Sequence, residues 1–122
     1  MPQKEMAWPR QPSDRQWEKP EGDDPRTLYQ MLMVSQKRFG SEPCFGYIPA
    51  PGMARVHLTY DEFGGLATAT AKGLRDIGVE KGDRVAIIID NSVEWAALSY
   101  GANAIGAAYT AMYTHQNGKD WA

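Results

Sequence analysis

The side chains able to do chemistry in this sequence are few and scattered. Its one cysteine, Cys44, and its two histidines, His57 and His115, stand at no spacing that would hold a metal or pair a thiol with an imidazole. Cys44 and His57 therefore read as packing or surface residues. The run GANAIG (Gly101 to Gly106) has the glycine spacing of a phosphate-binding loop. Ala107 and Ala108 follow it, where Lys and Ser/Thr would reach phosphate and magnesium, and its glycines fall late in a helical pattern, so it is no phosphate cradle. Neither G-x-G-x-x-G nor G-x-S-x-G occurs. The remaining acid–base candidates are the carboxylate pairs Asp23 and Asp24, Asp61 and Glu62, and Asp90 and Glu94. The first pair lies among prolines, and the other two mark helix starts, where carboxylates meet unsatisfied amide donors. The expectation is that no catalytic, cofactor-binding or metal-ligating residue lies within this chain.

The elements around these residues follow from periodicity and caps. Pro2, Pro9, Pro12 and Pro20 punctuate residues 1–25, with Trp8 and Trp17 as isolated apolar points, and that density of proline predicts an extended arm. Residues 26–122 form the structured part. Thr27 caps a helix whose apolar positions are Leu28, Met31, Leu32 and Phe39, closed by Gly40 in a left-handed conformation. Cys44 to Ile48 and Arg55 to Tyr60 flank PAPGM and predict a β-hairpin, with Val56, Leu58 and Tyr60 alternating against Arg55, His57 and Thr59. Thr59 to Glu62 spells T-Y-D-E, a capping box. The helix it opens carries Phe63, Leu66, Thr70, Leu74 and Ile77 as its core face, with Gly78 as its stop.

Arg84 to Ile89 is an unbroken β-branched run, which predicts a strand buried on both faces in a parallel sheet. Asp90, Asn91 and Ser92 offer caps for a helix from Val93 to Ile105 that is apolar nearly all round, and Gly106 ends it. Ala107 to Tyr113 reads as a second strand, so Arg84 to Tyr113 is one β-α-β unit with a right-handed crossover. With few elements to cover it, the second helix should expose apolar surface around Trp95, Leu98 and Ala102. Asn117 to Trp121 reads as a cap and first turn of a further helix. The fold class is α/β, and an apolar helix and a half-built sheet together imply the N-terminal piece of a longer protein.

Composition narrows the function classes. Lys+Arg 13 against Asp+Glu 15 gives a formal net charge of -2, which offers no electrostatic reason to expect nucleic acid or an anionic membrane as the partner. A single cysteine excludes an internal disulfide and points to a reducing compartment. No run is apolar over the roughly 18 to 20 residues of a transmembrane segment, and the opening MPQKEMAWPR has no apolar signal region.

The stretch from Leu58 to Tyr113 resembles the opening of the adenylate-forming, AMP-binding superfamily, within it the acyl-CoA synthetases, and closest to their long-chain fatty acid branch. The resemblance rests on an ordered series: L-T-Y-x-E opening a helix, G-V-x-K-G-D-R-V-A-I leading a strand, N-S-x-E-W starting the next helix, and a glycine before the strand that ends near Tyr113. TLYQMLMVSQKRFG before the hairpin and THQNGKDW after the last strand are similar to this family too. Ala111 stands where the family often has a proline. The resemblance implies that residues 26–122 are a truncated N-terminal part of the AMP-binding large domain. It also implies a parent enzyme that takes a carboxylic (fatty) acid, ATP with Mg, and CoA, and works in the cytoplasm or peripherally on an intracellular membrane. The family's phosphate loop, nucleotide contacts and C-terminal lysine come later than Ala122, so none is carried onto a residue here. Two other readings stand beside it: an inert α/β binding module using a crevice near Asp90 and Asn91, and a scaffold pairing its sheet edges with a partner.

Overall fold

Thr27 opens the first helix by accepting a hydrogen bond from the Gln30 amide at 3.1 Å, and α1 runs Leu28–Phe39. The computed structural model describes residues 25–120, so the expected arm up to Asp24, Asp23 and Asp24 themselves, and Trp121 all lie outside the described residues. Gly40 does follow α1, but at φ -28 and ψ -59 rather than in the left-handed region. A Cβ there would stand 2.6 Å from Asp61 Oδ2, the movable end of an exposed side chain, and the Asp61 amide donates to the Gly40 carbonyl at 2.9 Å.

The hairpin forms as expected, from β1 (Pro43–Tyr47) and β2 (Val56–Thr59), antiparallel, with a bulge between Pro43 and Phe45. It is shorter than its apolar runs because Tyr60 is already the first residue of α2 (Tyr60–Asp76). The capping box is complete: Thr59 Oγ1 accepts from the Glu62 amide at 3.2 Å, and Glu62 Oε2 accepts from the Thr59 amide at 2.8 Å. Two backbone donors that the first turn leaves open are thereby satisfied.

The buried face of α2 is not the one its large side chains suggest. Phe63, Gly64, Ala67, Ala71 and Leu74 are buried, whereas Leu66 is 37% and Ile77 78% exposed. Small residues make this face because α2 lies close against α3 (Val93–Ala104): a Cβ on Gly101 would sit 2.9 Å from Thr70 Cγ2 and 3.1 Å from the Ala71 amide nitrogen. After α2 the chain turns at Gly78, φ +94, with the Val79 amide donating to the Leu74 carbonyl at 3.0 Å.

Strands β3 (Arg84–Ile87) and β4 (Ala108–Ala111) pair in parallel across α3, which confirms the β-α-β unit. Of the possible caps it is Ser92 that closes the start of α3, accepting from the Trp95 amide at 3.2 Å, and Gly106 leaves the helix at φ +78. The expectation of a strand buried on both faces is overturned. Ile87 is buried, but Ala86 is exposed and Ile88 and Ile89 beyond it are 43% and 37% exposed. The described helices cover one side of this two-stranded sheet only. The expected exposed patch on α3 is overturned for the complementary reason: Ala102 is fully buried and Trp95 and Leu98 are half-buried, because α1, α2, β3 and β4 all pack against this helix. Asn117 precedes a 3₁₀ turn, Gly118–Asp120.

Two cores run along the α2/α3 pair. Leu32, Phe63, Ala67, Ala96 and Ala97 form one, lined by Phe45 and Tyr100, and Leu74, Ala102 and Ala107 form the other, lined by Val85 and Tyr109. No helix among the described residues is long and apolar enough to cross a membrane.

Candidate functional site

A parallel β-α-β unit brings the ends of its two strands to one edge, and the helix that joins them starts at that same edge. Here the edge is a cleft of about 550 Å³ lined by Ile89, Asp90 and Asn91 just past β3, Trp95 from the first turn of α3, Ala111 at the end of β4 and residues 112–116 after it. Pairing continues just past the strands, with the Met112 amide donating to the Ile87 carbonyl at 2.9 Å. The segment then turns back, the Gln116 amide donating to the Tyr113 carbonyl at 3.2 Å and the Tyr113 amide to Gln116 Oε1 at 3.3 Å.

Three contacts set the cleft's shape. Thr114 Oγ1 donates to Asp90 Oδ1 at 2.7 Å, tying the two strand ends together. The Trp95 ring meets Tyr109 edge-on at 5.9 Å, and Tyr113 meets His115 at 5.8 Å. The result is an amphipathic recess with Ile89, Trp95 and Met112 as apolar wall and Asp90, Asn91 and Thr114 as polar rim. It can bind and orient a ligand. Its one hydroxyl–carboxylate pair among the described residues, Thr114 with Asp90, ties the two strand ends together.

The other residues singled out by type do not converge here. Asp61 accepts from Gln36 Nε2 at 3.3 Å beside Gly40, Glu62 caps α2, and Glu94 sits in the first turn of α3. His57 lies on β2 with its ring over Gly46. Cys44 packs against the first core, and burial pushes its thiol up to about 11, which makes it a poor nucleophile. Tyr100 on the same core is also raised, by burial first and then by the charges of Cys44 and Tyr109. Gly101 to Gly106 form the end of α3 and its exit, where Gly101 faces α2. Among the described residues no group of three or more His, Cys, Asp or Glu is placed to hold a metal ion.

Asp90 and Asn91 are thus where the strand-end argument puts them, and Trp95, Tyr113 and Thr114 complete the site. The sequence signal for Tyr113 and Thr114 was available: in a parallel unit, whatever follows the second strand faces whatever follows the first.

The sequence profile of the AMP-binding enzymes matches residues 34–121. Long-chain-fatty-acid–CoA ligase FadD13 of Mycobacterium tuberculosis is 42% identical over 59 residues, 48% of this chain and 12% of that protein. Long-chain-fatty-acid–CoA ligase ACSBG1 of Bos taurus is 33% identical over 90 residues, 74% of this chain and again 12% of its own length. The inhibitor-bound N-terminal domain of FACL13 from M. tuberculosis superposes with a TM-score of 0.66 at 29% identity, covering 78% of this chain and 23% of that one. IdnL1, 19% identical with a TM-score of 0.71, shares the fold. The chain therefore spans about an eighth of the length of these curated relatives, and its α/β arrangement is that of the N-terminal part of such ligases. With most of its length matched by the family profile, this chain belongs to the AMP-binding enzymes.

Proposed function

We propose that this chain is the N-terminal portion of an AMP-forming fatty acid:CoA ligase, with residues 26–122 as its share of the AMP-binding domain and residues 1–25 as an arm. The parent reaction couples a carboxylate to the α-phosphate of ATP, releasing pyrophosphate, and the CoA thiol then displaces AMP from the acyl-adenylate. The parent works in the cytoplasm or peripherally on an intracellular membrane. The observation carrying this reading is the match of residues 34–121 to the AMP-binding enzymes, a span that holds both the hairpin–α2 segment and the β3-α3-β4 unit.

The described residues do not fit magnesium or a triphosphate. The one run with phosphate-loop spacing is spent on helix packing, and no carboxylate cluster faces the cleft. What this part contributes is a frame: β3 and β4 present a cleft edge, α3 starts beneath it, and α2 braces α3 from behind. By itself it should be inert. The test has two arms. In one, this chain replaces the matched segment of the mycobacterial ligase, and the folded chimera is expected to make acyl-CoA from a long-chain acid. A folded chimera that releases no pyrophosphate in response to acid sinks the reading. In the other, the chain alone is expected to show no acid-dependent ATP/pyrophosphate exchange, and clear turnover would reveal a site that this reading lacks. An inert scaffold is the second reading, favoured by the exposed Ile88 and Ile89 beside open sheet edges. Concentration-dependent association with no activity in the chimera selects it.

A further inference from the structure

The chain has three asparagines, and the structure places them in three different settings. Asparagine is among the chemically labile side chains, because the amide nitrogen of the next residue can attack its side-chain carbonyl carbon where the backbone lets the two meet. Asn103 is held against this: it lies in α3, its Nδ2 donates to the Ser99 carbonyl at 2.9 Å, and the Ala104 amide behind it belongs to the helix ladder. Asn91 is exposed, but Ser92 follows it with a side chain of its own and is fixed as the cap of α3, its hydroxyl accepting from the Trp95 amide at 3.2 Å.

Asn117 differs on each count. Gly118 follows it, both are exposed, and a Cβ on Gly118 would meet nothing within 4 Å, so the space beside the attacking nitrogen stays open. Gly118 also begins the 3₁₀ turn Gly118–Asp120, and the first amide of such a turn has no carbonyl inside it to donate to. The place matters to the cleft. Gln116, the residue before Asn117, lines it and closes the return after β4 twice, its amide donating to the Tyr113 carbonyl at 3.2 Å and its Oε1 accepting from the Tyr113 amide at 3.3 Å.

We propose that Asn117–Gly118 is a self-modifying site, deamidated with water as the co-reactant, and that the modification alters the edge of the cleft. The Gly118 nitrogen, its proton passed to solvent, bonds to Asn117 Cγ, the Cγ–Nδ2 bond breaks, and Nδ2 takes up a proton and leaves as ammonia. The product is a five-membered succinimide. Water then opens the ring, its oxygen joining either Cγ or the main-chain carbonyl carbon of Asn117 while a proton returns to the Gly118 nitrogen. Opening at Cγ gives aspartate, opening at the main-chain carbon gives isoaspartate, and nothing is oxidised or reduced. Either product adds one negative charge to a chain whose formal net charge is -2, and isoaspartate lengthens the main chain by a methylene directly after Gln116. This chemistry needs only the chain and water, whatever the parent catalyses.

The test keeps the full chain at 37 °C, at pH 6.0 and at pH 8.5, and follows ammonia release, isoaspartate content and mass-spectrometric fragments that separate Asn91, Asn103 and Asn117. A gain of one mass unit should appear at Asn117 first, faster at pH 8.5, and should become a gain of three units in water labelled with oxygen-18. Gly118→Ala should slow it by about tenfold or more, because the added methyl hinders ring closure. The same variant should keep its far-UV circular dichroism and Tm, since Gly118 has no positive φ and its Cβ meets nothing. In the modified chain the Tyr113 and Gln116 amide resonances should move, while those of the capping box at Thr59 and Glu62 stay in place. No gain at Asn117, or equal gains at Asn91 or Asn103, overturns the proposal. So does a Gly118→Ala variant that deamidates as fast as the parent, which would mean direct hydrolysis without a ring. Unmoved Tyr113 and Gln116 resonances would overturn its link to the cleft.

Discussion

Two glycines, Gly73 in α2 and Gly101 in α3, each stand three residues before the end of their helix, so replacing either by alanine gains the same helix propensity, about 1 kcal/mol. Their surroundings differ completely. A Cβ on Gly73 meets nothing within 4 Å, whereas one on Gly101 meets Thr70 Cγ2 at 2.9 Å and the Ala71 amide nitrogen at 3.1 Å. The second obstacle is backbone and cannot rotate away, so α2 and α3 must separate, at a cost of about 1–3 kcal/mol. Gly73→Ala should therefore stabilise by about 0.5–1 kcal/mol, and Gly101→Ala should range from neutral to about 2 kcal/mol destabilising. The propensity gain cancels in the difference, leaving the packing cost alone. Urea unfolding followed at 222 nm measures that difference, and the two Tm values should part by at least about 4 °C for a domain of this size. Thr70→Ala in the Gly101→Ala background should recover part of the loss but not all, since the Ala71 amide remains. Equal shifts for both alanine variants would falsify the close-contact argument for α2 and α3.

Glu62→Ala should cost about 0.5–2 kcal/mol by opening one side of the reciprocal cap, and its effect should not add to that of Thr59→Ala, as a double-mutant cycle in urea would show. At the end of α2, Ile77→Ser should stay within about 0.5 kcal/mol of the parent because the side chain of this C-cap residue is in solvent, while Ala67→Leu within the helix should lose about 1–3 kcal/mol at the packed face. The opposite ranking in thermal melts would restore the face drawn from large residues. Cys44 should react slowly with thiol reagents at pH 8 until the chain unfolds. Because burial raises its folded value from 9.0 to about 11, the unfolded chain loses its proton first, so stability should fall as pH rises from 9 and level off above 11. Tyr100, also raised by burial, acts in the same direction, and Cys44→Ala should reduce the fall without abolishing it.

Local backbone chemistry was legible in the sequence: the Thr27 cap, the Thr59–Glu62 box, and the glycine exits at Gly78 and Gly106 depend on neighbours within a turn. What needed the third dimension was size. Leu66 and Ile77 look like core by hydrophobicity, but a face that touches another helix closely must be made of Gly64, Ala67 and Ala71, and no moment built on hydrophobicity favours those. Gly40 was misread as a left-handed stop, because its conformation at φ -28 is set by the bond from the Asp61 amide, 21 residues on, rather than by its own helix. The strand Arg84 to Ile89 was read from composition as covered on two sides, yet composition records only what the strand requires. The described helices meet half of that requirement, and Ile88 and Ile89 show the rest. For the cleft, the strand-end argument that finds Asp90 and Asn91 also reaches Tyr113 and Thr114, but the bond between Thr114 and Asp90, 24 residues apart, needed the fold.

The pairing of α2 with α3 has an electrostatic side. The first core joins Phe63 and Ala67 to Ala96 and Ala97, and the second joins Leu74 to Ala102, so the two helices run in the same direction. Their backbone dipoles then lie side by side, bringing like partial charges together at both ends instead of cancelling them as an antiparallel pair would. Asp61 and Glu62 in the first turn of α2 and Glu94 in the first turn of α3 place negative charge at the shared positive end, while Arg75 is the one basic side chain in the last turn of either helix. The carboxylates at the shared positive end offset, each at its own helix start, a repulsion that the parallel arrangement creates and that the opposite ends meet with Arg75 alone.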